Sequence, residues 1–362
     1  MFRGITRVLL ILSIALLISN GANAQGRSCI NWQRLMSDLE ISQMPQGRAV
    51  QILEFQNFTK KDGDEWMTHG IPLYLSDLIS ASGSVRPYSG PTASSPLSTP
   101  NFLTISGLFQ NLDGKLRIFI RVTEGNAGIF VQQFEATFPY PDNKEFFTKQ
   151  ASIVEEILKK IGASPDGAKF SAVRDATCST RAYESYSKGM RALHSYSSGN
   201  FAAAKLWFED TKRIDYRSPL GYQGLVKLYS FEGFYQRQNG KNGATLFQNA
   251  GNELTAMQRL AKPAPLLMTF KKPKVLKKEK PSEPKIGDPL MQNEIAFQEG
   301  MAFVQSGDWA TAREAFRRAV AIVPDDAMSW YYISISSSNL GDNRASADAY
   351  QRAAAINPCL TK

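Results

Sequence analysis

The spacing of apolar and polar positions changes several times along the chain. Val8 to Ile18 is an apolar run broken only by Ser13. Within 48–59, Val50, Ile52 and Phe55 predict a mostly apolar strand with imperfect alternation. Lys60 to Asp64 reads as a turn, and Glu65 to Ser82 as a helix. Trp66, Leu73, Leu78 and Ile79 would form its buried stripe, with Asp64 and Glu65 at its positive end. Val85 to Tyr88 predicts a short strand, and 89–101 a loop rich in Ser, Pro, Gly and Thr. Three strands follow: Phe102 to Phe109, Leu116 to Val122 and Gly128 to Thr137. The middle one alternates cleanly, with Leu116, Ile118, Ile120 and Val122 on one face and Arg117 and Arg121 on the other. Asn111 to Gly114 and Glu124 to Gly128 have the composition of hairpin turns. A helix from Lys144 to Ile161 carries Ile153, Val154, Ile157, Leu158 and Ile161. The order β-α-β-β-β-β-α predicts an α/β domain of one sheet with two helices against it.

The rest of the chain is helical and repetitive. From Gly300 it shows Phe303, Gly307-Asp308-Trp309, Ala312, Phe316, Ala319 and Pro324. The next unit brings Trp330, Ile333, Gly341-Asp342, Tyr350, Ala353 and Pro358, so the two run in register at an offset of 34 residues. Small residues let paired helices approach, an aromatic at Phe316 or Tyr350 fills the groove between them, and proline stops the second helix. A weaker unit begins at Tyr183 with Gly199-Asn200-Phe201, Ala204 and Phe208, ends at Ile214-Asp215-Tyr216, and is followed by a helix from Tyr222 to Tyr229. Residues 262–289 hold Pro263, Pro265, Pro273, Pro281, Pro284 and Pro289 among seven lysines from Lys271 to Lys285, and read as an extended, self-repelling linker.

Two resemblances follow. The strand running into Phe55-Gln-Asn-Phe-Thr59, then Glu65-Trp66 and a helix, resembles the TolB amino-terminal-like domain. Leu103-Thr-Ile-Ser-Gly107, the turn Asp113-Gly114 and Leu116 to Val122 continue the likeness over roughly 48–162. That family usually places a helix before the Ile-Ser-Gly strand, where this chain has its Pro/Ser loop. The 34-residue units resemble tetratricopeptide repeats. Ala182-Tyr-Glu-Ser-Tyr-Ser-Lys-Gly189 is similar to the junction joining TolB-like domains to such repeats in bacterial multidomain proteins. The expected organisation is a leader at 1–24, the α/β domain at 25–165, divergent repeat-like helices at 178–260, the linker at 262–289, and two repeats at 290–362.

The leader decides the compartment. Arg3 and Arg7 precede the apolar run, and Ala22-Asn23-Ala24 offers small residues at the positions a signal peptidase reads, so cleavage is expected after Ala24. The run is short for a permanent anchor, and Cys29 lacks the preceding apolar residue of a lipoprotein signal. A periplasmic location is the expectation. Discounting Arg3 and Arg7 lowers the formal charge from +9 to +7, much of it carried by the linker. Cys29, Cys178 and Cys359 remain. A bridge between Cys29 and Cys178 would staple the ends of the α/β domain, and three separate thiols is the alternative. Spacings this wide give no zinc signature.

Catalytic signatures are absent from the sequence. The two histidines, His69 and His194, fall on predicted helices of different domains. No nucleophile elbow, P-loop, dinucleotide fingerprint or metal-spaced histidine pair occurs, and Asp62-Gly63-Asp64 lacks the further ligands of a calcium loop. A non-enzymatic protein without cofactor or metal is expected. The resemblance to tetratricopeptide repeats implies a groove lined by first helices, placing Phe297, Met301 and Val304 on one repeat and Tyr331, Ile335 and Ser338 on the next. An apolar groove of this kind suits a partner helix or peptide. The expectation is a periplasmic scaffold or adaptor for protein partners of the cell envelope, with no nucleic acid and no stable membrane insertion. An array stopping four residues past Pro358 also leaves self-association or a partner at that end. The alternative is a cell-wall or outer-membrane-associated factor meeting an anionic polymer through the basic linker.

Overall fold

In the computed structural model, residues 30–43, 47–89, 102–125, 128–141, 143–260 and 288–358 are described. The leader, the Pro/Ser loop at 90–101, nearly all of the basic linker, and Cys29 and Cys359 lie outside them; Cys178 is exposed. Contacts divide the chain into two compact units, one built mainly from 32–228 and the other mainly from 229–255 and 288–358.

The first unit begins with α1 (Trp32–Gln43), for which the pattern reading has no counterpart. Its buried Trp32, Leu35, Met36 and Leu39 have helical spacing. Strands β1 (Arg48–Ile52), β2 (Gln56–Asn57), β3 (Val85–Tyr88), β4 (Leu103–Leu112), β5 (Lys115–Glu124) and β6 (Ile129–Pro139) then form one mixed sheet. Its order is β3-β1-β4-β5-β6, with β2 beside β4. β1 runs parallel to β3 and β4, whereas β4, β5 and β6 are successive antiparallel neighbours. Pro87 sits in β3, at the sheet edge, where a missing N–H costs the ladder least. The turn joining β4 to β5 needs the left-handed region, which Asp113 (φ 50°) and Gly114 (φ 69°) supply. The alternation expected for β5 is found, with Leu116, Ile118, Ile120 and Val122 all buried.

Helices α2 (Met67–Ser80), α3 (Asn143–Lys160) and α4 (Gly167–Arg174) accompany the sheet. Among them α2 is apolar around most of its circumference and buried from Met67 to Ser76, because it packs against β1, β2 and β3 as well as α3 and α4. Pro72 lies inside it and cannot donate to the carbonyl of Thr68. That carbonyl accepts the N–H of Phe55 instead, at 2.9 Å, tying the helix to the loop after β1.

This unit does not stop at residue 165. It takes in α5 (Thr180–Leu193), α6 (Phe201–Ile214) and the start of α7 (Leu220–Gln238). Tyr183 of α5 explains why: it is 2% exposed, donates to the carbonyl of Gly70 at 3.2 Å, and packs edge-on against Tyr74 and Phe147. α5 and α6 pair closely, because a Cβ on Gly189 would stand 2.6 Å from the ring of Phe208.

The second unit contains the end of α7, α8 (Ala244–Leu260, up to residue 255), α9 (Pro289–Ser306), α10 (Trp309–Ile322), α11 (Ala327–Asn339) and α12 (Asn343–Ile356). α9 pairs with α10 and α11 with α12. Phe316 fills the first pair, stacking on Tyr332 at 5.2 Å, and a Cβ on Gly300 would stand 2.6 Å from its ring. Beneath them lies a buried polar network. The guanidinium of Arg237 hydrogen-bonds Glu294, Asn293 and Asp326, and lies 4.2 Å above the ring of Phe297. Asp326 also accepts from Gln238, Asn293 and Ser329. Asn357 donates to the carbonyl of Gln238, which joins the end of α12 to α7. Among the described residues no helix is long and apolar enough to cross a membrane.

Candidate functional site

The first unit holds a cavity of about 450 Å³, a volume typical of small-molecule sites. Helices α2, α3, α4, α5 and α7 line it. Tyr74, Phe147, Tyr183 and Tyr186 give aromatic walls, with Tyr183 centred 5.6 Å from both Tyr74 and Phe147 and 5.9 Å from Tyr186. These rings come from positions that the folding of three helices requires to be apolar. Two of their hydroxyls serve the fold, Tyr183 donating to the carbonyl of Gly70 and Tyr74 reaching the carbonyl of Arg174 at 3.4 Å.

Asp77 follows Ser76 in the mostly apolar stretch from Ile71 to Ile79 on α2 and faces this cavity. Among the described residues no side chain lies within hydrogen-bond or ion-pair distance of its carboxylate. Burial pushes Asp77 up to about 6, while Lys227, on the cavity wall, acts through space in the opposite direction. The Asp77 charge in turn raises Tyr183 and Tyr186, secondary to their own burial, which takes Tyr186 to about 12. Lys169, also on the lining, is held by Asp166 at 3.1 Å.

The two histidines meet in this unit, although the sequence assigns them to different domains. His69 on α2 and His194 at the end of α5 lie with ring centroids 5.9 Å apart. Burial is the main reason that each is pushed down to about 3 and held neutral. Their mutual repulsion and Arg191 act further on His69, and Lys227 on His194. Nδ1 of His69 lies 3.9 Å from Glu54, and Nε2 of His194 lies 3.7 Å from Glu40. Glu40 accepts from the Tyr196 hydroxyl at 2.9 Å. Nε2 of His69 and Nδ1 of His194 have no hydrogen-bond partner among the described residues. No group of three or more His, Cys, Asp or Glu among the described residues is arranged to hold a metal ion.

The six expected groove residues lie in the second unit and divide by exposure. Phe297 is 6% exposed and belongs to the core, between Phe316, Tyr332 and Arg237, so it is closed to a partner. Met301 and Val304, one and two turns further along α9, pack half-buried against the same cluster. On α11, Tyr331 and Ile335 are half-buried and Ser338 is exposed. Tyr331 sits 6.5 Å from the partly exposed Tyr350. Asp77 and the tyrosines around it are not among the site residues expected from the sequence. An acid within the apolar run of α2 was the available signal. No protein-family model matches the chain, and no curated protein matches it, so the functional reading rests on these residues.

Proposed function

We propose that the chain is an exported, non-catalytic binding protein of the bacterial cell envelope, with a TolB-like α/β domain followed by helical hairpins of the tetratricopeptide kind. In this reading the hairpins hold a protein partner. One observation carries it: the two carboxy-terminal hairpins repeat the same capping positions at an offset of 34 residues. Gly307 and Gly341 both take left-handed backbone, at φ 77° and 79°. Asp308 and Asp342 both cap the following helix, accepting the N–H of Thr311 and of Ala345 at 3.1 Å. Val323 and Asn357 both close it, donating to Ala319 and Ala353 at 2.9 Å. Periodic capping of this kind makes stacked hairpins that present first-helix side chains along one face.

On α11 the side chains open to a partner are Tyr331, Ile335 and Ser338, with Tyr350 beside them. Photo-crosslinking in cells from position 338 is expected to give one heterologous product, and Tyr331→Asp with Ile335→Asp is expected to abolish it while leaving the thermal unfolding of the protein intact. Products confined to this chain or to a second copy would reject the adaptor reading.

A further inference from the structure

We propose that the cavity of the first unit is a binding site for a small zwitterion of amino-acid size with an apolar or aromatic side chain. The ammonium would sit on Asp77, the carboxylate on Lys227, and the side chain against Tyr74, Phe147, Tyr183 and Tyr186. This inference does not depend on the hairpins binding a protein.

The argument starts from Asp77. A carboxylate in an apolar setting is expensive unless it is paired and hydrogen-bonded. Elsewhere in this chain buried acids meet that condition; Asp326 accepts from Arg237, Asn293, Gln238 and Ser329. Asp77 has no such contact among the described residues, yet it faces a cavity large enough for a small ligand. Aromatic faces around a carboxylate are what an ammonium group requires. The carboxylate gives charge, and the negative faces of the rings give cation–π attraction. Phenol hydroxyls stay protonated here, since burial raises Tyr183 and Tyr186, so they remain donors and add no negative charge.

A simple amine satisfies only part of this lining. Lys227 stands close enough to Asp77 to act on it electrostatically, and would oppose a second positive charge. Lys169 contributes less, because Asp166 already holds it. One acid from α2 and one base from α7, both lining the cavity, complement a ligand that carries both charges. The four rings then supply the apolar contact area that affinity for a small molecule mostly comes from.

Calorimetric titration of the full chain with phenylalanine, leucine and methionine tests this. Benzylamine, 3-phenylpropionate and N-acetylphenylalanine amide, which lack one or both charges, serve as controls. At least one amino acid is expected to bind, and at least tenfold tighter than any control. Asp77→Asn is expected to weaken amino-acid binding tenfold or more without unfolding the protein, and Lys227→Met to remove the preference for amino acid over benzylamine. No binding by any of the three amino acids would overturn the proposal. So would equal binding of the uncharged control, which would mark a merely apolar cavity, or an affinity that Asp77→Asn leaves unchanged.

Discussion

Asp77 in the first unit is half-buried and Asp326 in the second fully buried, and their environments push them in opposite directions. Burial alone would raise both. For Asp326 the Arg237 charge, joined by hydrogen bonds from Ser329 and Asn293, outweighs burial and holds the carboxyl below its usual range. Asp77 has Lys227 acting only through space, so burial prevails and the carboxyl rises to about 6. The difference shows that satisfied contacts, more than depth, set the ionisation of an acid in this chain. It also separates an acid that organises structure from one that the fold leaves open to a ligand. Glu294 marks the limit of a shared cation, because burial still raises it although Arg237 reaches both acids.

The largest test of this contrast removes the shared cation. Arg237→Met should cost ~3–5 kcal/mol in chemical denaturation, because Asp326 and Glu294 would be left buried without their counter-charge. A loss below about 1 kcal/mol would mean that the neutral donors suffice.

Acidification extends the comparison to the buried bases. Both histidines have folded values of about 3 against 6.5 in the unfolded chain, so the unfolded state binds more protons between those limits. Their contribution is complete above pH 6.5 and is lost as the pH falls toward 3, giving about 2–4 kcal/mol by pH 5. Asp77 slopes the other way, favouring the fold below pH 3.8 and losing that contribution as the pH rises through about 6. Unfolding free energies at pH 7, 6 and 5 should therefore decline, less steeply than the histidines alone would require. A flat profile that persists in a His69→Phe, His194→Phe variant would show the pair to be solvated.

The same substitution at the two aspartates should have opposite signs. Asp326→Asn removes the charge that Arg237 meets and should cost about 1–3 kcal/mol. Asp77→Asn removes a charge with no bonded partner and should stabilise the protein by roughly 1 kcal/mol at pH 7, a gain that disappears below pH 4. Thermal unfolding at the two pH values measures both, and equal signs would dissolve the contrast.

Much of the architecture was legible along the chain because it is written in short periods. The alternation of β5 and the Asp113-Gly114 turn depend on neighbours a few residues away, and the 34-residue repetition writes one local set of glycine, aspartate and aromatic positions twice. The stripe of α1 has the same local spacing, and its Trp32, Leu35, Met36 and Leu39 could have been recognised. Groove positions carried over from a repeat pattern were less secure. Phe297 and Tyr331 are 34 residues apart, yet Phe297 is covered by Tyr332 and Arg237 while Tyr331 is half-open. Periodicity assigns a residue to a helix face; the side chains that arrive over it decide whether that face is closed.

The sequence by itself therefore determined the elements, their order and the repetition, since backbone preference and hydrophobic period act over a few residues. Only the tertiary structure decided which polar side chains come near one another. His69 and His194 are 125 positions apart, Arg237 and Asp326 89, and Asp77 and Lys227 150. No local period records such separations. An aspartate in the sequence does not say whether its spatial neighbours pair it, as at Asp326 ahead of α11, or leave it facing a cavity, as at Asp77 within α2. The physical reason is that charge and hydrogen bonding act over a few ångströms in space, whatever the distance along the chain.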